Sequence, residues 1–175
     1  FLFSALNKLS QEPYLNFASR SITVSTIGIP DAILQMAQYK QIKLAWSYHS
    51  GFKAKRKTLF PVLSKSHSLE RIIEAFQKYQ DLTKKRITIE YLLLKGVNDS
   101  KEEAEALKKL SKQVYFHLNM IPYNSHPFAT YQAPDSSDIE RFLQYFDEVS
   151  FEITLRKSLG QDIFGACGQL ANLKI

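Results

Sequence analysis

The residues best suited to chemistry gather near the end of the sequence, in Arg156-Lys157-Ser158-Leu159-Gly160-Gln161-Asp162-Ile163-Phe164-Gly165-Ala166-Cys167-Gly168-Gln169-Leu170. Cys167 is the only cysteine and lies between Gly165 and Gly168, where the backbone can turn tightly and approach a ligand. The basic pair Arg156-Lys157 favours the thiolate, which is the nucleophilic form of the side chain. The plain alternative is a structural cysteine buried in a glycine-rich turn. One cysteine cannot close an internal disulfide, which is compatible with a reducing cytoplasm, and cannot by itself hold an iron–sulfur cluster.

The elements that must position this stretch alternate along the chain. Leu2, Leu6 and Leu9 recur at helical spacing, predicting a helix that ends before Pro13. The β-branched run 21–27, bounded by Gly28 and Pro30, predicts a strand. Pro30 then suits the first turn of a helix carrying Ile33, Leu34 and Ala37. A second strand is expected over 42–48, followed by a basic loop over 50–64 with one short helical turn.

Leu69, Ile72, Ile73 and Phe76 mark the next helix, and 86–94 the third strand. Ser100 to Glu103 has the pattern of a capping box and opens a helix containing Leu107 and Leu110. A fourth strand over 114–121 leads into a long loop over 122–134. A helix capped by Ser137 carries Ile139, Phe142, Leu143 and Phe146, and a fifth strand over 150–155 delivers the chain to Cys167. Strands alternating with helices predict one domain over 1–175, a parallel α/β sheet forming part of a (β/α) barrel.

Polar residues fall at or after the strand ends: Ser25 and Thr26, then Ser47, Tyr48 and His49, then Asn98 and Asp99, Asn119 and Asn124, and finally Arg156 and Ser158. In barrels and open α/β sheets that edge binds ligands. The net charge of +6 favours an anionic partner, nucleic acid first. No apolar run nears the roughly 18 residues of a membrane span, and the expectation is a cytoplasmic protein. The sequence starts at Phe1 with neither an initiator methionine nor a signal-peptide pattern, which suggests a piece of a longer polypeptide.

The stretch from Arg156 to Leu170 resembles the C-terminal signature of the RlmN/Cfr family, radical S-adenosylmethionine enzymes that methylate an adenine of large-subunit ribosomal RNA. Three further stretches match in the family's order: 22–28, then 86–94 with Gly96-Val97-Asn98-Asp99, and 117–124. The resemblance implies a partial barrel of the radical S-adenosylmethionine type. It implies that Cys167 receives a methyl group from one S-adenosylmethionine. A reduced four-iron four-sulfur cluster then cleaves a second one, and the adenosyl radical takes hydrogen from the methylcysteine. The resulting carbon radical adds to carbon 2 of adenine, or to carbon 8 in the Cfr branch.

Matched residue by residue, Ser25, Ser47, Tyr48, His49 and Asn124 stand where the family contacts S-adenosylmethionine. Tyr48 departs from the leucine expected there, and Trp46 is larger than usual. The family's Cys-x-x-x-Cys-x-x-Cys motif, its Gly-Glu element and its second, resolving cysteine are absent from this sequence. The expectation is therefore that the cluster-binding portion lies upstream, that this chain contributes no metal ligand, and that it is inactive alone.

The implied partners are ribosomal RNA, with transfer RNA as an alternative, and an electron donor for the cluster. The basic segment from Lys53 to Lys57 and the Lys/Arg residues near Cys167 are candidate phosphate contacts. His126, Phe128 and Tyr131 either stack an exposed base or pack their own loop. Two other classes stay open: a non-catalytic RNA-binding module of the same fold, and a small-molecule α/β-barrel enzyme.

Overall fold

A computed structural model describes residues 1–10, 17–125 and 130–156. Five parallel strands stand side by side in sequence order: β1 (Thr23–Thr26), β2 (Lys43–Ser47), β3 (Ile87–Leu93), β4 (Phe116–Pro122) and β5 (Ile153–Leu155). Helix α1 (Leu2–Ser10) precedes β1, and α2 (Pro30–Met36) links β1 to β2. The β2–β3 connection carries α3 (Lys53–Leu59), α4 (Leu63–Ser66) and α5 (Leu69–Thr83), while α6 (Lys101–Ser111) and α7 (Ser136–Gln144) complete the later crossovers. Crossovers of one hand between neighbouring parallel strands put all their helices on the same side. The sheet therefore has a covered face and an open one, as in a partial α/β barrel.

The side-chain alternation of each strand follows that division. Ile87, Ile89, Tyr91 and Leu93 are buried, as are Phe116, Leu118 and Met120, whereas the intervening Thr88, Glu90, His117 and Asn119 are only half-buried. Aromatic rings weld the covered face to its helices. Trp46 stacks on Phe76 of α5 at 4.6 Å, and Tyr91 on Phe142 of α7 at 5.8 Å. Such pairs add to what their burial already contributes. Gly28 turns the chain from β1 into α2 with φ of 109°, and a Cβ there would lie 2.8 Å from Ile72 Cγ2. A larger residue at this corner would clash as well as strain the backbone.

Three local expectations are corrected. The segment 50–64 is not mainly loop: α3 and the start of α4 occupy it, because Arg56 turns inward and leaves its neighbouring lysines at the surface. Helix α6 starts after Ser100 without a side-chain cap bond, since Glu103 is directed into the protein instead of back to its own helix. The cap of α7 is Asp135, not Ser137; Asp135 and Asp138 each accept from the other's backbone N–H, at 2.9 and 3.1 Å. Among the described residues no helix is long and apolar enough to cross a membrane.

Candidate active site

Strand pairing places one polar residue from each of four strands in a single row. Ser47, Glu90, Asn119 and Thr154 are register partners from β2 to β5, and all lie on the open face. Ser47 Oγ is 3.5 Å from Glu90 Oε2. One rung below run Ala45, Thr88 and His117, with Ser25 beside Ala45 at the exposed edge strand. His117 Nε2 meets Thr154 Oγ1 at 2.8 Å, joining the two rungs. Hydroxyls, an amide and a carboxylate on one surface suit a ligand rich in hydroxyl and amino groups.

At the end of β2 the chain makes a strained corner. His49 has φ of 54°, in the left-handed region that non-glycine residues seldom occupy. Several contacts hold it there. Leu92 N–H donates to His49 Nδ1 at 3.0 Å, Asn98 Nδ2 donates to His49 O at 2.7 Å, and the ring stacks on Phe60 at 5.4 Å. Because Nδ1 accepts from a backbone N–H, the ring proton resides on Nε2. Burial, reinforced by the Arg56 charge and opposed by the Glu90 carbonyl, lowers the imidazole pKa to about 4. His49 is thus a neutral, oriented group.

Tyr48 contributes differently. Its ring is 2% exposed and packs edge-on against Trp46 at 5.0 Å, on the covered face. Burial first and the Glu103 charge second push its hydroxyl pKa up. The Tyr48 side chain therefore does not reach the open face, and its backbone is engaged within the protein, the N–H donating to Glu90 O at 3.1 Å and the carbonyl accepting from Ser50 N–H at 2.7 Å.

Two charged residues, one from the basic segment 53–57 and one expected to cap α6, brace this corner instead. Arg56 Nη1 donates to Tyr48 O at 2.6 Å and to Ser50 O at 3.3 Å. Glu103, fully buried, accepts from Ser50 Oγ at 2.7 Å and Gly51 N–H at 3.0 Å, and pairs with Lys55 at 3.1 Å. Asn98 is fully buried and satisfies the backbone around it: it accepts from Leu94 N–H at 2.7 Å, donates to Leu92 O at 2.8 Å, and receives the Tyr91 hydroxyl on its own carbonyl at 2.7 Å. Its side chain ties the end of β3 to the His49 corner.

Asn124 is 5% exposed and follows β4, where Tyr123 N–H bonds to Leu93 O at 3.0 Å. It therefore sits beyond the same strand ends as His49. Tyr131 packs edge-on against Tyr123 at 6.4 Å. Arg156 N–H donates to Met120 O at 2.8 Å, so the line of β5 continues as far as the exposed Arg156. Cys167, Lys157, Ser158, His126 and Phe128 lie outside the described residues. The structure thus brings Ser47 and Glu90 together, sets Ser25 on the same face, and puts His49 and Asn124 at its mouth.

S-adenosylmethionine needs partners for two ribose hydroxyls, an ammonium and a carboxylate, and the open face fits that demand with Ser25, Ser47, Glu90 and Asn119. An iron–sulfur cluster needs several thiolates. The sequence has one cysteine, and among the described residues no group of three His, Cys, Asp or Glu side chains could hold a metal ion. The cluster does not fit the residues of this chain.

No protein-family model matches the sequence. The chain is 43% identical over 166 residues to a probable dual-specificity RNA methyltransferase RlmN of Clostridium novyi (strain NT), covering 94% of this chain and 48% of that protein. A crystal structure of a radical SAM methyltransferase from Sphaerobacter thermophilus superposes with a TM-score of 0.84 at 39% identity, covering 92% of this chain and 47% of that one. A domain of pyruvate-formate lyase-activating enzyme from Bacteroides vulgatus superposes with a TM-score of 0.59 at 15% identity, a likeness of fold alone. The chain spans about half the length of the relatives it matches. Over the span it shares with them, it belongs to the RlmN family.

Proposed function

We propose that this chain is the substrate-side portion of a radical S-adenosylmethionine RNA methyltransferase, acting on carbon 2 of an adenine in large-subunit ribosomal RNA. The observation that carries this reading is the row Ser47, Glu90, Asn119 and Thr154 across the open face of the sheet, which ends at the C-terminus of β2 with Ser47. Ser25 and Ser47 hydroxyls hold the ribose or carboxylate of the cofactor, and the Glu90 carboxylate accepts from its hydroxyl or ammonium groups. The neutral His49 offers a fixed Nε2–H donor at the mouth. Asn124 closes the same end. S-adenosylmethionine, when bound, would supply the methyl group.

Cys167 would be the methyl carrier in this reading, its thiolate accepting the methyl group that S-adenosylmethionine would supply. The flanking glycines let that sulfur approach cofactor and base in turn. The basic residues of the chain supply phosphate contacts that position the RNA without reading its sequence.

The test uses the native polypeptide carrying this sequence, with its cluster reconstituted under reducing, anaerobic conditions. Incubation with S-adenosylmethionine and ribosomal RNA, followed by nucleoside mass spectrometry, should give 2-methyladenosine. Cys167→Ala should abolish it. Methylation by the Cys167→Ala variant at the wild-type rate, or a product methylated elsewhere, would overturn this assignment. The 175-residue chain alone, lacking cluster ligands, should not cleave S-adenosylmethionine.

A further inference from the structure

A cavity of about 350 Å³ opens between α3, α4 and the first turn of α5, beside the mouth and apart from the open face of the sheet. Its walls carry three cations, Lys53, Arg56 and Lys65, and the Ser66 and Ser68 side chains, with Glu70 as the one carboxylate of its lining. Two of the lining residues hold a buried nitrogen without a hydrogen-bond partner, Arg56 Nη2 and His67 Nδ1. Buried donors are seldom left unpaired, and a charged one is the costliest to leave so.

Arg56 is only 4% exposed. Its Nη1 is spent on the Tyr48 and Ser50 carbonyls, and the guanidinium lies 5.1 Å from the Phe60 ring centroid. No carboxylate pairs with it among the described salt bridges. The cavity is also where α5, fifteen residues long, presents its N-terminus, with Ser68 as the cap. That end of a helix favours anions. Glu70 already benefits: its own backbone N–H, then Ser68, then the Lys53 charge hold its carboxyl below the usual range.

We propose that this cavity binds a phosphate group, gripped by Arg56 and His67 at its floor and by Lys53 and Lys65 at its rim. That the phosphate belongs to an RNA backbone rests on the methyltransferase reading above; free phosphate is the other source of the same chemistry. His67 donates from Nδ1 in this arrangement, with Nε2 as the other ring nitrogen. A backbone phosphate anchored here would fix the distance between the RNA strand and the mouth formed by His49 and Asn124.

Because Arg56 also holds that corner, the informative substitutions are at the exposed Lys53, Lys65 and Glu70. Calorimetric titration of the native polypeptide with inorganic phosphate, against chloride at equal ionic strength, should show saturable binding. The double variant Lys53→Ala, Lys65→Ala should weaken it about tenfold, and Glu70→Gln should tighten it about threefold by removing a like charge. A ribosomal RNA hairpin should displace the phosphate. The double variant should also lower the slope of log affinity against log salt for that RNA by about one.

Absence of saturable phosphate binding, or indifference of that binding to both sets of substitutions, would overturn the site even if RNA bound normally. Phosphate bound in the cavity but not displaced by an RNA that binds elsewhere would overturn the RNA source and leave a free-phosphate site. Phosphate binding with no RNA binding at all would sink the methyltransferase reading while sustaining the cavity.

Discussion

At the end of β2, Glu103 is fully buried and gathers Ser50, Gly51 and Lys55; at the start of α7, the Asp135 carboxylate meets Lys95 at 2.7 Å with more than half of its side chain in solvent. Both clusters gather donors around a carboxylate beyond the strand ends. In the first, water has been replaced by protein donors, so each partner lost leaves a buried charge behind. In the second, water stands ready to take over, and Arg141 and Lys95 each have alternatives. The comparison teaches where the molecule invests its rigidity: around the His49 corner that faces the proposed cofactor, and not around the outer loop.

The largest effect follows from the buried cluster. Glu103→Ala should cost about 3–5 kcal/mol, because it strands the Ser50 hydroxyl, the Gly51 N–H and Lys55 together. Denaturant unfolding of the variant chain measures it directly. A loss no larger than that of a surface carboxylate would erase the contrast.

Next comes the pH dependence of the same corner. The His49 pKa is held near 4, below its ordinary 6.5, so the folded state prefers the neutral ring. That contribution is fully present above pH 6.5 and is lost as pH falls toward about 4. From pH 7 to pH 5 the wild-type chain should lose roughly 2 kcal/mol of stability from this residue. His49→Asn, which tolerates a left-handed backbone, should flatten that part of the curve. An unchanged slope in the variant would place the loss elsewhere.

The smallest effect belongs to the exposed cluster. Asp135→Ala removes the α7 cap and should lower the Tm by only about 3 °C. Raising the salt concentration should shrink the difference, since these ion pairs are screened. A thermal scan at two ionic strengths checks both statements.

Much of this was legible in the residue pattern. The alternation of Ile87, Ile89 and Tyr91 with Thr88 and Glu90 announces a strand with two unlike faces, and Pro30 after Gly28 announces the turn into α2. The placement of Ser25, Ser47 and Asn124 at strand ends was likewise readable. Lateral register was not: that Ser47 lies opposite Glu90 emerges only once β2 and β3 pair. Arg56 was hidden among Lys53, Lys55 and Lys57, because local sequence cannot say which cation will find two backbone carbonyls and turn inward. Glu103 was masked by its fit to a capping pattern, while its actual donors lie some fifty residues upstream. Asn98 was ambiguous for the same reason: a polar residue after a strand can serve a ligand or a neighbouring turn, and only tertiary structure shows that it ties β3 to the His49 corner.

The central claim is that the open polar face of the sheet holds S-adenosylmethionine. Equilibrium dialysis of that cofactor against the native polypeptide, its Ser47→Ala and Glu90→Gln variants, and Asp135→Ala as a control tests it most directly. Ser47→Ala and Glu90→Gln should each weaken binding about tenfold while Asp135→Ala binds as wild type, each lost hydrogen bond to a charged group being worth about 1.5 kcal/mol. Unchanged affinity in both open-face variants would contradict the claim.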